Sequence, residues 1–289
     1  DAGTVTDVNV ADGDDGTDTL SGIETVRFND GELTLKSEAE ELQVNAWEPS
    51  SQHNPSVTGL AGGNYVVTWQ DDSGHDDGSG TDVRGQVFNS SGAPLGEELL
   101  VNTATYQTQG EPSVASLDDG GFVVTWQSNY QDDDSSYYNI YGQRFDGDGG
   151  SIGDEFMVNV DRTIRDQHDP SITSLGNGEF IVTWGDESTS SRSSELGSGF
   201  DNSGWAVFGQ KFTTAGGDTP AVSGDLFQAN TYTSGTQYDP SISSLSDGGF
   251  VVTWRDDNGG SHDGGSGRDV FGQRFDAAGV KVGDDFLIN

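Results

Sequence analysis

Acidic side chains gather in four loops of the sequence, and their spacing is the first feature that could do chemistry. The first and fourth loops both read Asp-Asp, then Gly, His-Asp, Gly-Ser-Gly and a closing Asp, which is not the EF-hand spacing. Calcium takes about six to eight oxygen ligands, and glycines let a loop wrap around the ion. The loop residues predicted to bind Ca²⁺ are Asp71, Asp72, Asp76, Asp82, Asp132, Asp133, Asp134, Asp186, Asp201, Asp256, Asp257, Asp263 and Asp269.

Histidine residues could allow the same loops to bind a transition metal, but their number and positions argue against this. His75 and His262 occupy matching places in the first and fourth loops. A transition-metal site would need two or three such ligands converging on one ion, so we expect both to be exposed loop residues. The alternative to metal binding by these loops is that they are solvated and keep the protein soluble.

No sequence motif of a known catalytic centre is present. The chain lacks His-Glu-x-x-His, Gly-x-Ser-x-Gly, a phosphate-binding Gly loop and any cysteine, and the sialidase pattern Ser-x-Asp-x-Gly-x-x-Trp is not matched. A glycosidase with paired carboxylates is the enzymatic alternative. Because the acids recur from repeat to repeat, no acid stands out, and the sequence predicts a protein that is not an enzyme.

A repeat of roughly 60 residues positions these loops. A run such as Val-Val-Thr-Trp ends at Trp69, Trp126, Trp184 and Trp254, with spacings of 57, 58 and 70 residues. Gln-x-x-Pro-Ser precedes each run, and the Asn, Glu or Asp before its Pro is expected to fix a turn between units. A Gly-Gln-x-Phe strand follows each acidic loop, and each unit ends in Asn. The predicted units are about 46–102, 103–159, 160–230 and 231–289.

Each unit is interpreted as four short strands. Strand A starts at Pro-Ser, strand B is the apolar run, strand C contains Gly-Gln and strand D ends in Asn. Four-stranded antiparallel units at this period predict an all-β fold, a β-propeller of four full blades within residues 36–289. Residues 26–45 have the length of the second half of a unit and predict an N-terminal half-blade. The repeated Trp is expected to pack between blades rather than to stack on sugar.

The N-terminus contains a second kind of candidate calcium site. Residues 13–20 match the calcium nonapeptide Gly-Gly-x-Gly-x-Asp-x-Leu with one change, and its predicted ligands are Asp14, Asp15 and Asp18. With the continuation to Phe28, residues 5–35 resemble the end of a calcium β-roll in the RTX family of type I-secreted bacterial proteins. The repeats of residues 41–289 resemble those of large secreted proteins of that kind. The resemblance implies a β-roll terminal segment in residues 1–35, calcium, and export to the medium or cell surface.

Charge and composition exclude several classes of function. The chain has 49 Asp and Glu against 12 Lys and Arg, a formal charge of −37, and no cysteine. Without a basic patch to neutralise phosphate, a nucleic-acid partner is not expected. No run approaches the roughly 20 apolar residues of a membrane helix. No Sec signal is visible in the first residues, which lack Met, so the chain is expected to be processed or a fragment.

Repetition of acidic loops favours multivalent binding. The sequence predicts a secreted calcium-binding module for adhesion, with a carbohydrate or a cell-surface or matrix component as partner. The first alternative is a structural component of an extracellular matrix, surface layer or filament that self-assembles. The second alternative is a polysaccharide-active enzyme.

Overall fold

The chain forms two compact units, residues 1–43 and 44–289. The computed structural model describes residues 3–6, 17–20, 25–28, 31–34, 42–46, 50–74, 80–129, 131, 137–160, 166–189, 203–233, 235–257 and 267–289. In the first unit, β1 (Gly3–Thr6) pairs antiparallel with β2 (Thr17–Leu20), and β3 (Thr25–Phe28) pairs with β4 (Gly31–Thr34). No helix within the described ranges is long and apolar enough to cross a membrane.

The second unit consists of four antiparallel sheets in tandem. Blade 1 contains β5 (Gln52–Gly59), β6 (Tyr65–Asp71), β7 (Asp82–Phe88) and β8 (Pro94–Leu100). Blade 2 contains β9 (Gln109–Ser116), β10 (Phe122–Asn129), β11 (Tyr138–Phe145) and β12 (Ser151–Met157). Blade 3 contains β13 (Gln167–Gly176), β14 (Glu179–Thr189), β15 (Ser203–Thr213) and two short outer strands, β16 (Ala221–Val222) and β17 (Phe227–Gln228). Blade 4 contains β18 (Gln237–Ser244), β19 (Phe250–Asp256), β20 (Asp269–Phe275) and β21 (Lys281–Leu287). The prediction of four antiparallel propeller blades is confirmed.

Hydrophobic packing between consecutive blades holds the unit together. Three apolar clusters fill the spaces between blades 1 and 2, 2 and 3, and 3 and 4. Trp126, Trp184 and Trp254 each belong to one of these clusters and are buried. Burying an aromatic side chain of this size is among the largest single contributions to a core. The expectation that the repeated Trp packs between blades is therefore confirmed for these three, while Trp69 of blade 1 is buried but belongs to none of the three clusters.

Glycine recurs in the Gly-Gln dipeptide of strand C for a steric reason, and glutamine recurs because of a hydrogen bond. A Cβ on Gly142 would lie 2.6 Å from a ring carbon of Phe156, whose ring crosses the strand and reaches Phe180 and Phe212 of blade 3. Gln143 follows and donates from Nε2 to the backbone oxygen of Ile152 at 3.1 Å, which ties strand C to strand D. Glycine is thus required so that the Phe ring of strand D can lie against strand C. Glutamine supplies a side-chain hydrogen bond that joins strand C to strand D.

The Asn residues that end blades 2 and 3 join each of these blades to the next one. Asn159 accepts from the backbone N–H of Ile140 at 2.8 Å and donates to Oε1 of Gln167 in blade 3 at 2.9 Å. Asn230 makes the same link to Gln237 of blade 4 at 3.1 Å. Residues 42–46 form no strand, yet Asn45 donates to Gln52 at 3.2 Å in the same manner. At the junctions of blades 2 and 3 and of blades 3 and 4, the final Asn of one unit is therefore bonded to the first Gln of the next.

Candidate functional site

Four equivalent residues, one from each blade, meet around a central cavity of about 400 Å³. They precede the Pro of the Gln-x-x-Pro-Ser motif and are Asn54, Glu111, Asp169 and Asp239. Proline has no N–H for the neighbouring strand, so each strand A interrupts its pairing at this point. The residue before it has a φ between 51° and 54°, a conformation that is rare outside glycine. The resulting bulge directs the four side chains to the cavity, and backbone strain of this kind concentrates at functional sites.

Three of these residues form a carboxyl cluster. Burial and then the charge of Asp239, which is also hydrogen-bonded to Asp169, raise the pKa of Asp169 to about 7. The charge of Glu111 adds to this rise, and Arg255 opposes it. Burial also raises the pKa of Glu111. Because neighbouring carboxylates disfavour one another's ionised forms, Asp169 retains its proton close to neutral pH.

Neighbouring side chains hold each member of this carboxyl cluster in place. Asn54 donates from Nδ2 to Oε1 of Glu111 at 2.8 Å. The backbone N–H of Asp169 donates to Oε1 of Gln127 at 3.2 Å. Nη1 of Arg255 lies 2.8 Å from Oδ2 of Asp239. The cluster is thus asymmetric: one carboxyl bonds to an amide, one to a carboxyl and one to a guanidinium, although all three occupy the same place in the repeat.

A second cavity, of about 450 Å³, adjoins the carboxyl cluster between blades 3 and 4. Its lining residues are His168, Asp169, Trp205, Thr236, Tyr238, Asp239 and Asp257. The ring of Trp205 lies 5.2 Å from that of His168, and the guanidinium of Arg255 lies 3.9 Å above the centre of the Tyr238 ring. Burial lowers the pKa of His168, which favours the neutral ring. Asp169 and Asp239 line both cavities and therefore mark their junction.

The predicted calcium ligands at the ends of the acidic loops lie in the sheets. Asp71 pairs with Asp82 across strands B and C, and Asp256 pairs with Asp269 in the same register. Asp71, Asp82, Asp186 and Asp256 are buried. These four and the half-buried Asp269 each have a structural partner: Asp71 has Arg84 at 2.9 Å, Asp82 has Asn102 at 2.8 Å, Asp186 has Gln167 at 3.4 Å, Asp256 has Gln237 at 3.3 Å, and Asp269 has Asn289 at 3.3 Å. These carboxylates terminate the strand pairs.

The remaining predicted ligands fall into two groups. Asp72 contacts Nε2 of His53 at 3.1 Å, and Asp257 contacts Nε of Arg268 at 3.1 Å. Asp76, Asp132, Asp133, Asp134, Asp201, Asp263, Asp14 and Asp15 lie outside the described residues, as do His75 and His262, while Asp18 belongs to β2. Within the described ranges, no three His, Asp or Glu side chains are grouped closely enough to hold a metal ion. Calcium binding by the loops and by the nonapeptide stays a prediction.

The sequence interpretation missed the carboxyl cluster and the aromatic cavity. Glu111, Asp169 and Asp239 stand before Pro in a motif that predicts a turn between units, whereas the structure places them at a bulge within strand A. Their equivalent positions in the repeat are the signal that could have found them. Trp205 gave a second signal, because it falls outside the repeated strand B position that accounts for Trp69, Trp126, Trp184 and Trp254. Trp205 is also partly exposed, whereas those four are buried.

Comparison with solved structures places this fold among β-propellers. The α-L-arabinofuranosidase of Fusarium graminearum in complex with arabinobiose has a TM-score of 0.52 at 12% identity, over 81% of this chain and 66% of that one. The α-L-arabinanase of Penicillium chrysogenum, also with arabinobiose, gives 0.52 at 13% identity, over 81% and 65%. A Dyadobacter fermentans protein of unknown function gives 0.51 at 12% identity, over 82% and 68%. The chain thus spans about two thirds of each structure. No protein-family model and no curated protein matches the sequence.

The prediction that the protein is not an enzyme is corrected by this comparison, since glycoside hydrolases recur among the structures that share the fold. The prediction rested on the repetition of acids along the chain. In the structure, repetition has the opposite consequence, because equivalent positions of successive blades converge on one axis. Glu111, Asp169 and Asp239 thereby become one cluster, in which different neighbours give each carboxyl a different environment.

Proposed function

We propose that the protein is a glycoside hydrolase whose reaction takes place at the carboxyl cluster. The observation that carries the proposal is the hydrogen-bonded pair of Asp169 and Asp239, which keeps a proton on Asp169 near neutral pH. Glycoside hydrolysis requires a carboxylic acid that protonates the leaving oxygen and a second carboxylate across the scissile bond. The fold shared with enzymes that act on arabinose-containing glycans supports the same chemistry.

Geometry divides the roles among the three carboxyls. Asp169 is the general acid, because its raised pKa provides the proton. Asp239 is hydrogen-bonded to Asp169, and two carboxyls this close cannot flank a bond that needs about 5 Å or more between them. Asp239 therefore positions the proton, and its ion pair with Arg255 fixes the direction of its side chain. Glu111, which acts on Asp169 through its charge, is the second carboxylate.

The reaction follows from these roles. Asp169 transfers its proton to the glycosidic oxygen as the bond from that oxygen to the anomeric carbon breaks. Glu111 stabilises the positive charge that develops on the sugar ring, and it takes a proton from the water that completes hydrolysis. Both products leave as free sugars, and the proton taken up by Glu111 restores the starting state when it returns to Asp169.

The charge of the protein restricts the substrate. A net charge of −37 repels polyanions, and three carboxyls at the site would repel an acidic sugar locally. An uncharged glycan is therefore the proposed substrate class. Arabinan and arabino-oligosaccharides are the first substrates to assay, followed by xylan and β-glucans, with release of reducing sugar as the measurement. A panel that shows binding without turnover would support the glycan-binding module instead, and a panel with neither would overturn both.

Arg255 gives a test of the positioning role of Asp239. Its positive charge lowers the pKa of Asp169, so Arg255→Gln is expected to raise that pKa. The alkaline limb of the profile of kcat/KM against pH should then move to higher pH by up to about one unit. Arg274→Gln is the matched control, because Arg274 pairs with Asp247 in a turn of blade 4 and lines neither cavity. A shift of the same size in both variants, or a shift to lower pH, would contradict the assignment.

We propose calcium as a structural cofactor and export from a bacterial cell as the setting. The support is the chemistry of the loop carboxylates and the resemblance of residues 5–35 to the RTX family. A ligand that binds only the folded state raises the melting temperature, so excess EDTA should lower Tm by several degrees and added Ca²⁺ should restore it. Mg²⁺ at the same ionic strength is the control for screening. An unchanged Tm would favour solvated acidic loops.

A further inference from the structure

We infer that Gly185 makes room for the ring of Trp205, and that one uncharged sugar ring binds against that ring in a subsite between blades 3 and 4. The inference rests on the proposed function and names where its substrate binds. It is carried by a difference among the blade interfaces, by the walls of the cavity at the third of them, and by the position of that cavity beside Asp169.

The residue after the strand B Trp reaches into the next blade at the first two interfaces. In blade 1, Oε1 of Gln70 accepts from the backbone N–H of Glu111 at 3.4 Å. In blade 2, Oε1 of Gln127 accepts from the backbone N–H of Asp169 at 3.2 Å. The equivalent residue of blade 3 is Gly185, which has no side chain to send toward Asp239. The cavity of about 450 Å³ lies at this third interface.

The walls of this cavity suit a sugar. Trp205 replaces Thr81, Tyr138 and Arg268 of the other blades, counted from the Gly-Gln dipeptide, and it is partly exposed. An aromatic face offers apolar contact to the C–H groups of a sugar ring, while carboxylates and hydroxyls accept and donate at its edge. Asp257 and Thr236 supply those polar groups in the same cavity. The volume is within the range of small-molecule sites, roughly 300–1,000 Å³.

Asp169 and Asp239 connect this subsite to the reaction, because they line both this cavity and the central one. A sugar against Trp205 would place one of its glycosidic oxygens beside the acid. Arg255 covers one face of Tyr238 and bonds to its hydroxyl, which leaves Trp205 as the principal stacking surface among the described residues. Gly185 and Trp205 are therefore specificity-determining residues.

Two substitutions of Gly185 distinguish the effect of a long side chain at this position from the effect of merely replacing glycine. A Cβ at Gly185 would lie 3.5 Å from the Trp205 ring, an ordinary contact, so Gly185→Ala leaves the ring in place. Gly185→Gln restores the longer side chain of the first two interfaces at the place where the Trp205 ring lies, and it therefore displaces that ring. In the Asp169→Asn background, which prevents turnover, calorimetric titration with arabinotriose, xylotriose and cellotriose measures binding alone. For whichever trisaccharide binds, Gly185→Gln and Trp205→Ala should weaken Kd about tenfold or more, and Gly185→Ala less than about threefold.

The outcomes distinguish this inference from the proposed function. If a trisaccharide binds and Gly185→Gln leaves its Kd unchanged, the subsite lies elsewhere and the inference fails, while hydrolysis at the carboxyl cluster stands. If Trp205→Ala alone has no effect, stacking on that ring is overturned. If no trisaccharide binds and the unsubstituted chain hydrolyses no uncharged glycan, both the inference and the proposed function fail. A circular-dichroism melt of each variant confirms that the fold is retained.

Discussion

Asp169→Asn is expected to lower kcat for glycoside hydrolysis by about 10²–10⁴-fold, the usual contribution of a general acid. The amide has nearly the shape of the protonated acid and can donate to Asp239, so the site keeps its geometry and loses only the transferable proton. KM should change little, since the acid acts on the transition state more than on the bound ground state. Reducing-sugar release at saturating substrate measures the effect.

Two companion variants make this result specific. Glu111→Ala should lower kcat by a similar factor, because the second carboxylate is equally required. Asp148→Asn, in an exposed turn of blade 2, changes an acid to an amide away from both cavities and should leave kcat unchanged. On a substrate with a poor leaving group, azide or formate, small anions that can enter the space of the removed carboxylate, should restore activity to Glu111→Ala and not to Asp169→Asn. Full activity in Asp169→Asn would overturn the assignment of the acid.

The repeat in the sequence was sufficient to predict the blades. Strand B is apolar at nearly every position because it packs between two blades, so the recurrence of Trp126 and Trp184 along the chain already marks a core position. Gly142 and Gln143 likewise recur for local reasons. Gly142 makes room for a ring that crosses the strand, and Gln143 forms a hydrogen bond to the next strand. Features that repeat because each blade needs them can be recognised from the order of residues alone.

The carboxyl cluster was not predictable in the same way. Glu111, Asp169 and Asp239 are separated by 58 and 70 residues, and each taken alone is a polar residue before Pro, typical of a turn. Their meeting depends on the bulge in strand A and on the convergence of successive blades. The raised pKa of Asp169 depends further on which residue each blade supplies, since Arg255 opposes the rise and Glu111 adds to it.

The free energy of unfolding should depend on pH in a way that independently tests the raised pKa of Asp169 in the carboxyl cluster. Because the pKa of Asp169 is raised from 3.8 to about 7, the folded state holds a proton that the unfolded state releases. The free energy of unfolding therefore falls as the pH rises from about 4 to about 7, and it is level above that range. At about 1.36 kcal/mol per pH unit the loss is at most about 4 kcal/mol, and partial exposure of Asp169 reduces it to about 2 kcal/mol.

Asp169→Asn removes the loss of stability that ionisation of Asp169 causes, because an amide stays neutral at every pH in this range. Its Tm should exceed that of the unsubstituted chain by roughly 4–8 °C at pH 8 in EDTA, and the difference should shrink toward pH 5. Asp148→Asn should show no such pH-dependent difference, since that carboxyl is exposed. A variant less stable than the parent at pH 8 would show that the charge of Asp169 is compensated in the folded state. The acid would then be ionised at neutral pH and unable to protonate a leaving oxygen, so one melting series tests the premise on which the catalytic assignment depends.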